Sequence, residues 1–138
     1  MVTIERTREQ REKLGKRLVQ EAVAGLEENS LLVQEDGGSP TSQPVRAFVA
    51  NAASEIVAGL LNRERRLEVL RLTAGARMDG GANLLVDFPP TDKRISLRVY
   101  PNGQRAWAAK TDRACAETGR ELRSPSDVID LLDWLTQE

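Results

Sequence analysis

Asp87 has the surroundings of a metal ligand. It stands in Leu84-Leu85-Val86-Asp87-Phe88, a strand pattern, and a hairpin pattern follows it. A strand aspartate of this kind supports metal-assisted hydrolysis only when two or three further carboxylates converge on it from later elements. The stretch after the hairpin is short and shows no strand pattern, so those partners are missing. An acidic residue followed two positions on by lysine is also absent, because Asp92 and Lys93 are adjacent.

Other residues fail for similar reasons. Asp127, Asp130 and Asp133 recur every third residue near the C-terminus. Three carboxylates can hold a hard cation, but this spacing is also that of a solvated helix face whose first members complement the helix dipole. We take the second reading and assign no metal. Cys115 lies two residues after Arg113, and a nearby cation favours a thiolate. With no histidine in the chain, however, nothing serves as its base, and a packed thiol is the reading. The run Gly75-Ala76-Arg77-Met78-Asp79-Gly80-Gly81 lacks the Lys-Ser/Thr of a phosphate loop and falls between strand patterns, so it reads as a turn. No catalytic residue and no cofactor follow from the sequence, and no small-molecule substrate is evident. The chain reads as a non-enzyme.

Composition agrees. The chain has 138 residues, 20 basic and 21 acidic side chains, a single cysteine and 4% aromatics. One domain spanning 1–138 is expected, long enough to bury a core without staples. The absent histidines exclude Ser-His and Cys-His dyads and imidazole-ligated metals. One cysteine excludes an internal disulfide and fits a reducing, cytoplasmic setting. No run of 18 apolar residues occurs, so no membrane association is expected.

The elements that must carry any surface are as follows. Residues 3–28 read as a helix, since Leu14, Leu18, Ala22 and Leu26 recur every four residues. Its start, Glu5 to Lys13, is polar at every position, so no core holds it; residues 1–13 are expected to project. Residues 29–44 read as a flexible connector, rich in Gly, Ser and Pro from Gly37 to Pro44. Residues 45–62 read as a second helix with Val45, Val49, Ala52, Ile56 and Leu60 on one face, pairing with the first as a hairpin. Strand patterns follow over 67–73, 84–88, 95–99 and 104–110. For the first of these, a longer second helix is the alternative. Residues 111–123 resist placement. From Ser124, a capping signal with Pro125 and Asp127 opens a final helix carrying Val128, Leu131, Leu132 and Leu135. The expected fold is α+β: an N-terminal helical hairpin, an antiparallel meander of three or four strands, and a C-terminal helix packed on the sheet.

Charge is distributed unevenly. Residues 63–110 hold ten basic and five acidic side chains, whereas 124–138 hold four acidic and no basic ones. These charges either neutralise each other or leave a basic strand surface for nucleic acid. Hairpin register decides how good such a surface is. A two-residue turn at Asn102-Gly103 puts Arg94, Arg98, Tyr100, Arg105 and Trp107 on one face, a basic platform with aromatics for base stacking. Pro101 in the second position of a type I turn instead gives a three-residue loop and sends Trp107 to join Ile95, Leu97 and Val99. Proline is favoured there and awkward within a ladder, so the three-residue loop is the expected register.

The leading expectation is a small accessory, adaptor or inhibitor protein that works through protein–protein contact, with a protein partner or a second copy of itself as a homo-oligomer. Arg8, Arg11 and Glu12 on the polar helix start, and Trp134 beside the acidic stripe, are its candidate contact residues. The alternative is a nucleic-acid-binding accessory protein using Arg94, Arg98 and Arg105.

Overall fold

The computed structural model describes residues 7–62, 67–91, 93–102, 105–111, 115–119 and 135–136, with backbone alone for 105–111 and 115–119. Its first element, α1 (Arg8–Glu35), starts where the chain supplies a reciprocal cap. Thr7 Oγ1 accepts from the Gln10 amide at 3.2 Å, and Gln10 Oε1 accepts from the Thr7 amide at 2.9 Å. This satisfies two amides that a helix start otherwise leaves unpaired. Its end is set by Gly37, whose φ of 89° is open to glycine at little cost. The Gly38 amide donates to Val33 O at 2.8 Å and the Gly37 amide to Gln34 O at 3.1 Å, the double bond of a Schellman cap.

This cap corrects the expected connector. Residues 29–35 continue α1, and Leu31-Leu32-Val33 form its last turns rather than part of a connector. Asn29 and Ser30 are weak helix formers, but each is bonded in place. Asn29 Nδ2 donates to Gly25 O at 3.2 Å, and Ser30 Oγ accepts from the Thr41 amide at 3.2 Å. Ser30 and Thr41 are both buried. The real connector, 36–42, is tied again where the Ser39 amide donates to Met78 O at 2.9 Å.

The second helix, α2 (Gln43–Asn62), buries Val45, Val49, Ala52, Ala53, Ile56, Val57, Gly59 and Leu60. By length and composition it would suffice to cross a membrane, yet this buried stripe is what a core helix requires. It crosses α1 at Gly15, the first fully buried position of α1. A Cβ at Gly15 would lie 2.4 Å from Val57 Cγ1, so glycine sets the closeness of the helix pair.

Leu67 and Leu70 are both buried around a turn in which the Leu70 amide donates to Leu67 O at 3.1 Å. The strand expected over 67–73 therefore begins only at Arg71. The sheet is an antiparallel meander of five strands in chain order: β1 (Arg71–Ala76), β2 (Ala82–Phe88), β3 (Lys93–Val99), β4 (Arg105–Thr111) and β5 (Cys115–Gly119). This exceeds the three or four expected. β5 comes from the polar stretch that resisted placement, where Cys115-Ala116-Glu117-Thr118-Gly119 carries no apolar alternation and pairs across a bulge at Ala109/Lys110.

Leu84 opposite Leu97 and Val86 opposite Ile95 bring the apolar halves of β2 and β3 together. All four are buried, with Ala82, Phe88 and Val99 beside them. α2 reaches over β2 and β3, while α1 lies along β1 and so shields an edge strand, which otherwise invites strand addition. The helix and strand meet closely at Gly25 and Gly75, though with room for a side chain: a Cβ on Gly25 would stand 3.7 Å from Ala74 O and one on Gly75 3.6 Å from Asn29 Oδ1, both ordinary contacts. The buried residues form one cluster, which includes Leu135. A short 3-10 turn, Pro89–Thr91, follows β2, and Thr91 Oγ1 donates to Leu135 O at 2.7 Å. Apart from Leu135 and Thr136, the expected C-terminal helix lies outside the described residues, as do Trp134, Asp127, Asp130 and Asp133.

Gly15 and Gly25 should respond in opposite directions. Gly25→Ala gains helix propensity without a clash and is expected to stabilise by roughly 0.5–1 kcal/mol. Gly15→Ala forces a methyl against the stiff Val57 side chain and is expected to cost about 1–3 kcal/mol. Urea titration of the two variants decides the matter; a stabilising Gly15→Ala contradicts the close crossing.

Candidate functional site

Strand alternation that buries one sheet face leaves the other to solvent. On β1, β2 and β3 that second face carries Arg71, Thr73 and Gly75; Asn83, Leu85 and Asp87; and Arg94, Ser96 and Arg98. Arg71, Thr73, Arg94 and Arg98 are exposed, while Asn83, Leu85, Asp87 and Ser96 are half-buried. Register extends the rows onto β4 as Lys110, Ala108 and Ala106.

One row is electrostatically distinctive. Arg71, Asp87, Arg94 and Lys110 are successive partners across four strands. One carboxylate thus shares a row with three cationic residues. Arg94 Nε pairs with Asp87 Oδ1, the two side chains being 51% and 23% exposed. Asp87 is the counterion of this row. Among the described residues no three His, Cys, Asp or Glu side chains gather as a metal site.

The hairpin between β3 and β4 takes the register of the three-residue loop: Arg98 faces Ala106, Leu97 faces Trp107 and Val99 faces Arg105. This overturns the aromatic platform. Trp107 and Arg105 occupy positions on the face of Leu97 and Val99, opposite to that of Arg94 and Arg98. Arg105 is therefore not brought together with the other two arginines; a one-residue slip in a hairpin moves every residue of the return strand to the other face. Tyr100 follows β3, and the Arg77 guanidinium stands 5.4 Å from its ring centroid, within cation–π range. Arg77 Nε also lies 3.5 Å from Asp79 Oδ1. The glycine-rich run is the turn it was expected to be. The Gly80 amide donates to Arg77 O at 3.1 Å, Gly80 has φ of 90°, and the Gly81 amide donates to Asp79 Oδ1 at 2.9 Å.

A second surface is the start of α1. Arg8, Glu9, Gln10, Glu12 and Lys13 are exposed and Arg11 is half-buried. Arg8 pairs with Glu12 at 3.2 Å and Lys13 with Glu9 at 3.6 Å. Such i,i+4 pairs add only a few tenths of a kcal/mol each. With the cap at Thr7 they nevertheless favour helix before the first buried residue, Gly15. The turns before the α1–α2 crossing are thus mostly exposed, with Arg11 half-buried and Leu14 packed against the core.

A third surface escaped the sequence reading. Leu31 and Leu32, assigned to a connector, are 63% and 53% exposed on the last turns of α1. Glu27, Glu28, Glu35 and Asp36 surround them and are also exposed. The signal was present: leucines at 31 and 32 with acidic residues four before and four after each. It becomes visible only once the helix is known to run to Glu35.

No family model matches the chain, and no curated protein or solved structure matches it.

The Asp87–Arg94 pair gives a direct check on the basic row. Its partners are partly exposed, so solvent screens it, and the coupling in a double-mutant cycle of Asp87→Asn and Arg94→Met is expected at about 0.5–1 kcal/mol at low salt, falling in molar salt. Zero coupling at low salt contradicts the pair.

Proposed function

We propose that this chain is a small, non-enzymatic cytoplasmic accessory protein that acts through protein–protein contact. One observation carries the proposal: on the capped first turns of α1, the charged and polar residues Arg8, Glu9, Gln10, Glu12 and Lys13 are exposed. A polar helix end that is kept folded without burial is explained when another chain completes its surroundings. Arg8, Arg11 and Glu12 are the contact residues of this reading. The C-terminal helix is kept in it as a structural element packed on the sheet, supported by the buried Leu135 and its bond from Thr91.

Deletion of residues 1–12 tests the proposal. The shortened chain is expected to melt within a few degrees of the full chain, because it keeps Gly15 and everything behind it. In affinity capture from nuclease-treated extract of the source cell, it is expected to lose the proteins that the full chain retains. If the shortened chain unfolds, the segment is core; if it captures the same proteins, the contact lies elsewhere.

Nucleic-acid binding is the second reading. It is favoured by Arg71 and Arg98, both exposed on the open sheet face. Its surface is smaller than the sequence promised, since Arg105 belongs to the other face and Asp87 engages Arg94. Fluorescence anisotropy with labelled single- and double-stranded oligonucleotides at ~50 and ~200 mM salt decides it. Salt-sensitive micromolar binding, lost on Arg94→Gln/Arg98→Glu, establishes this reading; no binding at the lower salt removes it.

A further inference from the structure

Two exposed surfaces of this molecule are complementary in charge, in apolar content and in spacing. The first is the end of α1. Leu31 and Leu32 are its exposed large apolar residues. Glu27 and Glu35 lie one turn before and after Leu31; Glu28 and Asp36 do the same for Leu32. Residues four apart stand one above another on a helix, so each leucine sits between two carboxylates. The outer carboxylates of a column, eight residues apart, are separated by about 12 Å along the axis.

The second surface is the open sheet face. Leu85 lies at its centre, with Thr73 and Ser96 as its cross-strand neighbours. On one side runs the row of Arg71, Asp87, Arg94 and Lys110, in which Asp87 pairs with Arg94 and the cations stay in excess, and on the other stands Arg98. Arg94 and Arg98 are four residues apart on β3, about 13 Å along a strand. Acid–leucine–acid on the helix thus matches arginine–serine–arginine on β3, with Leu85 beside the serine on β2, at nearly the same interval. The residues between the arginines are short, so a helix can approach. Both surfaces belong to every copy of the chain.

We propose that the acid-framed leucine pair ending α1 docks on the open sheet face of a second copy. Glu27 and Glu35 meet the arginine positions, and Leu31 and Leu32 cover Leu85. The contact is heterologous, joining different patches on the two copies, so it closes into a ring or extends as a chain according to its rotation. It goes beyond the contact proposed for the start of α1 and uses different residues, so either can fail alone.

Sedimentation of the full chain tests the proposal. At ~50 mM salt the wild type is expected to show mass above one protomer, rising with concentration up to ~100 µM, and to weaken at least tenfold at ~500 mM salt as surface charges are screened. Two variants separate the halves. Arg71→Gln/Arg98→Glu disables the sheet while sparing the Asp87–Arg94 pair, and Glu27→Lys/Glu35→Lys disables the helix end. Each alone is expected to be monomeric and to melt near the wild type. Their equimolar mixture is expected to form a one-to-one dimer and nothing larger, because together they supply one intact contact. A wild type that stays monomeric at low salt, a variant that still assembles, or a mixture that stays monomeric overturns the proposal. The salt series on the wild type keeps the test decisive if a variant misfolds. A monomeric wild type whose oligonucleotide binding is lost in Arg71→Gln/Arg98→Glu likewise overturns it and gives the face to nucleic acid.

Discussion

The register of β2 against β3 is the constraint on which the other features depend. Pairing Leu84 with Leu97 and Val86 with Ile95 stacks the apolar halves of both strands under α2. Each of these four side chains loses nearly all contact with water, and complete burial of such residues contributes roughly 1.5–3 kcal/mol apiece. A slip of β3 by one residue against β2 would put Arg94, Ser96 and Arg98 under the helix instead. The cost of burying charges makes that register untenable. The same pairing that builds the core therefore assembles the polar face, and its arginines come together as a by-product of hydrophobic register.

The two helices serve the sheet in different ways. α2 is a face cover, with an apolar stripe and small residues that let it lie close. α1 is an edge cover. It runs along β1 and meets α2 at Gly15, and its end is held through Ser30 and the connector. A helix of 28 residues spans about 42 Å, while β1 with its six residues spans about 20 Å. The mismatch leaves both ends of α1 beyond the strand it shields. One end is charged in both signs, the other is acidic and carries leucines. The exposed charged start and the exposed leucine pair thus both lie at the ends of α1, outside the length of β1.

The described side chains form ion pairs, caps and a cation–π contact. The one aspartate in a catalytic-looking setting is engaged by an arginine on the neighbouring strand. What distinguishes the molecule is where opposite charges lie relative to exposed apolar groups: carboxylates around leucines on a helix, arginines around a leucine on a sheet.

Much of this was legible in the chain itself. The four-residue recurrence from Leu14 to Leu26, the stripe from Val45 to Leu60 and the alternations at 84–88 and 95–99 are local patterns that each fit only one kind of element. Pro101 marked the three-residue loop, because its ring fits one turn position and disfavours the ladder. The limits of α1 were not legible. Asn29 and Ser30 favour caps and turns in isolation, and only bonds to Gly25 and Thr41 keep them helical. β5 was hidden for a similar reason: its five residues carry no apolar alternation and become a strand by pairing with β4. The neighbourhood of Asp87 was beyond the sequence altogether, since Arg71, Arg94 and Lys110 are separated along the chain and meet only across strands. Local periodicity determined the elements, whereas the tertiary structure decided which charges face each other, because a cross-strand partner is set by register and not by distance in sequence.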